Sequence, residues 1–98
     1  MDWIFEIEDI TGRRIHLSKE QWSHINSDHP EISPYVEEMK DILRNPALVK
    51  TLNYDKKVRY FYRYYKNRDS PAKYLLLVVK YLNGKGFIIT SYFVRTIP

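Results

Sequence analysis

The sequence predicts an α+β fold: an N-terminal β-hairpin and two helices packed on an antiparallel sheet of about four strands. Three observations predict it. Apolar residues recur with a spacing near 3.6 through the two helical segments that end at Asn45-Pro46 and near 2 after them. Caps and prolines bound two helices in the first part. Turn residues separate alternating segments in the second part. Helices that precede an antiparallel meander make a two-layer domain, and 98 residues suffice for one such domain, expected over 1–98.

Each element has a local cause. Residues 3–8 alternate, with Trp3, Phe5 and Ile7 against Ile4, Glu6 and Glu8, as in a half-buried strand. Thr11-Gly12 marks a turn, and Arg13–Leu17 completes a hairpin. Ser18 and Gln21 form a capping-box pair that opens the first helix, with Leu17 placed to staple onto Trp22. Trp22 and Ile25 point at the core, and Pro30 ends the helix. Ser33-Pro34 predicts the start of a second helix, an N-cap followed by proline at the first position. Val36, Met39 and Leu43 form its apolar stripe, with Ile42 beside them, and Asn45-Pro46 stops it. Four strands follow, over 47–52, 58–65, 74–81 and 87–94. The third is apolar on both faces and reads as central. Asn83-Gly-Lys-Gly86 is the hairpin turn before the last.

Composition narrows the function classes. There is no cysteine, hence no disulfide, thiolate metal site or thiol nucleophile. The first ten residues lack a basic segment and a long apolar run, so no signal peptide is expected. The longest apolar run, Tyr74–Val79, falls far short of the roughly 20 residues of a membrane helix. A cytoplasmic protein with no membrane contact is expected. Charge is unevenly placed: residues 1–54 carry a balance of −4 and residues 55–98 a balance of +8. The second part also holds seven of the nine tyrosines. Basic charge attracts phosphate, and aromatic faces stack on unpaired bases. RNA is therefore an expected partner. A solvated basic sheet, or one that docks an acidic protein, is the plainer alternative.

Gly-rich phosphate loops, GxSxG elbows and HExxH motifs are absent, which argues against nucleotide triphosphatases and serine hydrolases. Of the three histidines, His24 lies four residues before Asp28 on a helix face away from Trp22 and Ile25, so it is expected to be accessible. His29 falls near the apolar stripe where the helix ends, and its plainer role is to pack there and bind free carbonyls. The two imidazoles point about 140° apart on a continuous helix, which disfavours a metal site that needs three converging ligands. No metal and no cofactor are expected. In the strand over 58–65, Tyr60, Tyr62 and Tyr64 share one face, expected to be core; Arg59, Phe61, Arg63 and Tyr65 share the other, expected to meet phosphate. Lys80 joins Thr90 and Tyr92 on one face if the last hairpin has an even register.

These groups suit RNA cleavage through the 2′-hydroxyl. That reaction needs a base for the hydroxyl, an acid for the leaving oxygen, and donors around the transition state. Histidine serves as acid or base near neutrality, and arginine forks grip phosphate.

The runs Trp22-Ser-His24-Ile25, His29-Pro30-Glu31 and Asn45-Pro46-Ala-Leu-Val49, then Arg59-Tyr-Phe-Tyr62-Arg63, Tyr74-Leu-Leu-Leu-Val-Val-Lys80 and Gly86-Phe-Ile-Ile-Thr90-Ser-Tyr92, carry a resemblance. Over about residues 13–95 the chain resembles a phage- and prokaryote-associated branch of the barnase–EndoU–colicin–RelE-like nuclease superfamily. The resemblance implies helices on an antiparallel sheet, with the active surface on the sheet. It points to His24, His29, Arg59, Thr90 and Tyr92 as catalytic residues; the charge argument adds Arg63 and Lys80 as substrate contacts. The expected activity is metal-independent RNA cleavage, as in a toxin or phage-conflict ribonuclease with an acidic antitoxin as partner. A non-catalytic RNA-binding or protein-interaction domain is the alternative. A structural role in phage assembly is a third.

Overall fold

The structure, a computed structural model, describes residues 3–98; the first two residues of the domain expected over 1–98 lie outside the described part. The chain runs β1 (Trp3–Glu8), β2 (Arg14–Ser18), α1 (Lys19–Asp28), a 3-10 helix (Pro30–Tyr35), α2 (Val36–Arg44), β3 (Leu48–Thr51), β4 (Val58–Tyr64), β5 (Tyr74–Leu82) and β6 (Lys85–Val94). The α+β class holds, but the sheet has six strands in the order β1-β2-β6-β5-β4-β3 instead of about four. Strands β3 to β6 form the expected antiparallel meander. The extra two are the N-terminal hairpin, which joins the sheet because β2 pairs in parallel with the first part of β6 through Arg14, Ile15 and His16. Gly86 permits the approach: a Cβ there would lie 2.7 Å from Ile15 Cδ1 and 3.0 Å from the Lys80 carbonyl oxygen.

The helices cover one face of the sheet. Ile25 from α1, Ile32 from the 3-10 helix and Met39, Ile42 and Leu43 from α2 pack on Phe5, Ile15, Leu17, Phe61, Leu75, Leu77, Val79 and Ile88. Each such large apolar side chain contributes about 1.5–3 kcal/mol on burial. The other face carries a second apolar layer, with Val58, Tyr62, Leu76 and Val78 buried and Leu52, Tyr60, Tyr74, Ile89, Tyr92, Val94 and Ile97 around them. This second face, free of helices, is called the open face below.

Two helix expectations need correction. Ser18 Oγ accepts from the Gln21 amide at 3.0 Å, as a cap should. The Gln21 side chain, however, does not return to the cap; its amide donates to the Ile89 carbonyl of β6. Ser33-Pro34 does not start α2. Those residues belong to the 3-10 helix, which buries Ile32, and α2 begins at Val36. Two prolines within five residues withhold the amides a continuous α-helix needs. The last hairpin is tighter than expected: Asn83 and Gly84 alone make the turn, with φ of 53° and 79°, the left-handed pair that a two-residue hairpin requires. Among the described residues no helix is long and apolar enough to cross a membrane.

Candidate active site on the open face of the sheet

Strand register decides which side chains share the open face. Two cross-strand rows are central. In one, Thr90 of β6 lies opposite Val78 of β5, then Tyr60 of β4, then Lys50 of β3. In the next, Tyr92 lies opposite Leu76, Tyr62 and Leu48. The β5–β6 register shifts by one residue between Val78 and Val79. That bulge places Ile88 under the helices and Ile89 with the open-face layer. Lys80 remains on the side of Val78 and Leu76, because even positions of β5 share a face. The expected trio Lys80, Thr90 and Tyr92 therefore lies on one face.

His29 joins them from outside the sheet. Beyond His16–Phe87, β6 has no β2 partner, and α1 lies along that free edge, tied to it by Gln21. The helix stops at Asp28, where His29 leaves the α region (φ −137°, ψ 74°) as its C-cap. Its ring stacks on Tyr92, with centroids 4.6 Å apart and planes 20° from parallel. Its Nδ1 lies 3.9 Å from Glu31 Oε2. The His29 amide, not its ring, serves the helix end by donating to the Ile25 carbonyl.

Beside this stack four tyrosines gather their hydroxyls. Burial raises the Tyr60 pKa above its ordinary value, and the neighbouring Tyr54 and Tyr92 hydroxyls add to it. Burial also raises Tyr62, followed by Tyr60 and Tyr92. These hydroxyls stay protonated at neutral pH, so they act as hydrogen-bond donors and not as bases. Tyr60 and Tyr62 meet edge to face at 6.4 Å, and Tyr62 is 1% exposed. Lys80 Nζ lies 3.7 Å from Asp55 Oδ2 in the β3–β4 turn.

The arginines stand elsewhere. The assignment of faces in β4 is the reverse of the expected one: the tyrosines line the open face and the Arg59/Arg63 set lies on the helix side with Phe61. Phe61 was the available signal, since it alone of that set has no polar atom and so must go under the helices. Arg59 places its guanidinium 4.9 Å from the Tyr81 ring centre, and Arg13 places its own 5.1 Å from the same centre. Tyr81 in turn donates to Asp9 Oδ2 at 2.5 Å, a buried bond; burial, then that bond, raises the Tyr81 pKa strongly. Asp9 Oδ1 also accepts from the Thr11 and Arg13 amides, so this cluster ties β5 to the β1–β2 turn. Arg63 Nη1 donates to the Asn45 carbonyl at 2.7 Å, securing the chain after α2. Neither guanidinium is brought to His29.

His24 is exposed and makes no hydrogen bond or ion pair with Asp28. At 100° per residue it lies 60° around α1 from Gln21, on the side away from Trp22. Trp22 packs under the sheet, so His24 occupies the flank of α1 turned from the core. The third histidine was not singled out from sequence: His16 lies on the open face at the other side of β6, its ring stacked on Trp3 at 3.9 Å. Burial lowers the His16 pKa; Glu6 opposes this and Lys85 adds to it. Tyr54 and Tyr60 were also missed. Among the described residues no three His, Asp or Glu side chains form a group able to hold a metal ion.

Comparison with known proteins gives a family and nothing finer. No curated protein and no solved structure matches the chain. Residues 5–96, which include both helices, strands β2 to β6 and all of β1 but Trp3 and Ile4, and with them His24, His29, Lys80, Thr90 and Tyr92, match the phage-Barnase-EndoU-ColicinE5/D-RelE like nuclease 2 family, and the chain belongs to that family.

Proposed function

We propose that the protein is a metal-independent endoribonuclease that cleaves RNA through the 2′-hydroxyl on the open face of the sheet. Membership of a nuclease family supports the reaction class. The observation that carries the rest is the stack of His29 on Tyr92 beside Thr90, with hydroxyl donors of Tyr60 and Tyr62 next to it. His29 takes the proton of the 2′-hydroxyl. The 2′-oxygen attacks phosphorus, and the bond from phosphorus to the 5′-oxygen breaks. His24, on the outer flank of the same helix, is assigned the proton that the leaving oxygen needs. Thr90 and Tyr92 hydroxyls donate to the non-bridging oxygens, where negative charge grows. Lys80 adds positive charge on that face. RNA carries its own nucleophile, so this route uses no metal or cofactor.

The test is incubation of the purified protein with single-stranded RNA in a chelator. The reading expects cleavage that leaves 2′,3′-cyclic phosphate ends and leaves the all-deoxy strand intact. Products with 5′-phosphate ends, or activity abolished by the chelator, would contradict it.

One observation favours a second reading. With Arg59 and Arg63 on the helix side, neither of these guanidinium forks, the kind that nucleases commonly aim at phosphate, reaches the His29–Tyr92 stack. A domain that binds RNA or an acidic protein without cleaving it fits that deficit. Retained RNA binding with no cleavage at any pH selects this reading. In the nuclease reading the protein acts in the cytoplasm as a toxin or phage-conflict enzyme, and an acidic antitoxin covers its basic surface. Co-purification of an acidic protein that blocks cleavage tests that step.

A further inference from the structure

We infer that a pocket at the β3–β4 end of the open face binds an unpaired nucleobase and sets which nucleotide the site accepts; the inference rests on the ribonuclease reading and names its recognition subsite. The pocket is a cavity of about 280 Å³ between Lys50, Asn53, Tyr54, Tyr60 and Tyr62, closed at one side by Pro98. Ligand pockets begin near about 300 Å³, so this one suits a single flat heterocycle and not a folded helix or a peptide side.

Three features of the pocket fit a base. First, Tyr54 is 84% exposed, the largest exposure of any large apolar or aromatic side chain in the described chain. It packs in neither apolar layer. Its hydroxyl lies close enough to Tyr60 to help raise the Tyr60 pKa, and it lines the cavity. An aromatic ring at a cavity that is left uncovered offers a stacking platform. Second, Asn53 lines the same cavity and supplies a side-chain amide, which both donates and accepts along a base edge. Third, Lys50 lies at the rim with its ammonium on the Pro98 carbonyl, within the cross-strand row that ends at Thr90.

That row fixes the distance to the reaction centre. Strands β4 and β6 are separated by β5 alone, so Tyr60 and Thr90 stand about 10 Å apart at two strand spacings. An extended single strand spans that interval within a nucleotide or two. With its base on Tyr54, the strand passes Tyr60 and presents a backbone phosphate to Thr90, Tyr92 and His29. A paired duplex cannot insert a base in this way, so the subsite selects unpaired RNA.

The experiment is an NMR titration of the full chain with each of the four ribonucleoside 5′-monophosphates, following backbone amides. Saturable shifts at Thr51–Tyr54 and Tyr60–Tyr62 with at least one nucleotide are expected. Tyr54→Ala should weaken that binding about tenfold, and Tyr54→Phe, which keeps the ring, should restore most of it. Shifts absent from these amides with all four nucleotides, or equal affinity in Tyr54→Ala, would overturn the inference. Cleavage of RNA without nucleotide shifts at the pocket removes the subsite and leaves the ribonuclease reading standing. Pocket shifts without cleavage do the reverse.

Discussion

His29 reaches the open face because α1 ends at Asp28 and Pro30 holds the chain out of the helix. One more helical turn would carry the ring off Tyr92. The residue's two features, ring and position, are separable. Tyr92→Phe keeps the stack and removes the hydroxyl. If that hydroxyl donates in the transition state, Tyr92→Phe should lower kcat about 10²-fold, with KM nearly unchanged. An unchanged kcat would make Tyr92 a stacking residue only. His16 tests the electrostatics of the same face. Its pKa is lowered on folding from 6.5, chiefly by burial. The unfolded chain therefore takes up a proton that the folded protein resists as pH falls through about 6.5. The His16 contribution is favourable above that pH and is lost towards the lower folded value. Melting temperatures at about pH 7.5 and about pH 5 should drop less in His16→Gln than in the wild type. An equal drop in both would assign the pH dependence to other groups.

At the scale of elements, much was legible. The Ser18 cap, the Met39/Ile42/Leu43 stripe and the doubly apolar β5 each have a local cause, and each appears where that cause puts it. The alternation of β1 holds for Phe5 and Ile7, but a register shift between Trp3 and Phe5 sends Trp3 to the open face, on His16, and Ile4 to the core. What was not legible depends on long-range pairing. Nothing local says that β2 pairs with β6, so the hairpin read as a separate unit and the sheet as four strands. The β6 bulge is likewise invisible in sequence, though it decides that Ile88 and Ile89 go to different layers. The face of β4 was misjudged because tyrosine serves both as core and as surface. Arg59, which the resemblance points to, and Arg63, which the charge argument adds, lie on the helix side, whereas Tyr60 faces the open face and Tyr54 lines the pocket there. His29, Thr90, Tyr92 and Lys80 were found from sequence and share the open face. Gly86 is the point where β2–β6 pairing becomes testable. Gly86→Ala should cost about 1–3 kcal/mol, because the added methyl meets Ile15 and backbone at the strand contact. Chemical denaturation measures it, and a cost near zero would place the β2–β6 contact in doubt.

Across the whole molecule the sheet separates two tasks. The helix side carries the main core and, at its end, the Asp9–Tyr81 bond flanked by Arg13 and Arg59. The open face carries the histidine, the hydroxyls and the pocket. Positive charge in residues 55–98 is thus divided between the two faces, with Arg59 against Tyr81 on the helix side and Lys80 beside Asp55 on the open face. Tyr81→Phe removes the buried donor to Asp9 and should destabilise the fold by about 1–3 kcal/mol, while cleavage measured well below the melting transition stays near wild type. The central claim is that chemistry occurs on the open face and not at the arginine-flanked end of the helix side. The most direct measurement compares His29→Ala with Arg59→Gln for single-turnover cleavage of one RNA in a chelator, both variants checked for folding. The account predicts a loss of about 10²-fold or more for His29→Ala and a rate within a few-fold of wild type for Arg59→Gln. A large loss in Arg59→Gln with His29→Ala unaffected would contradict it.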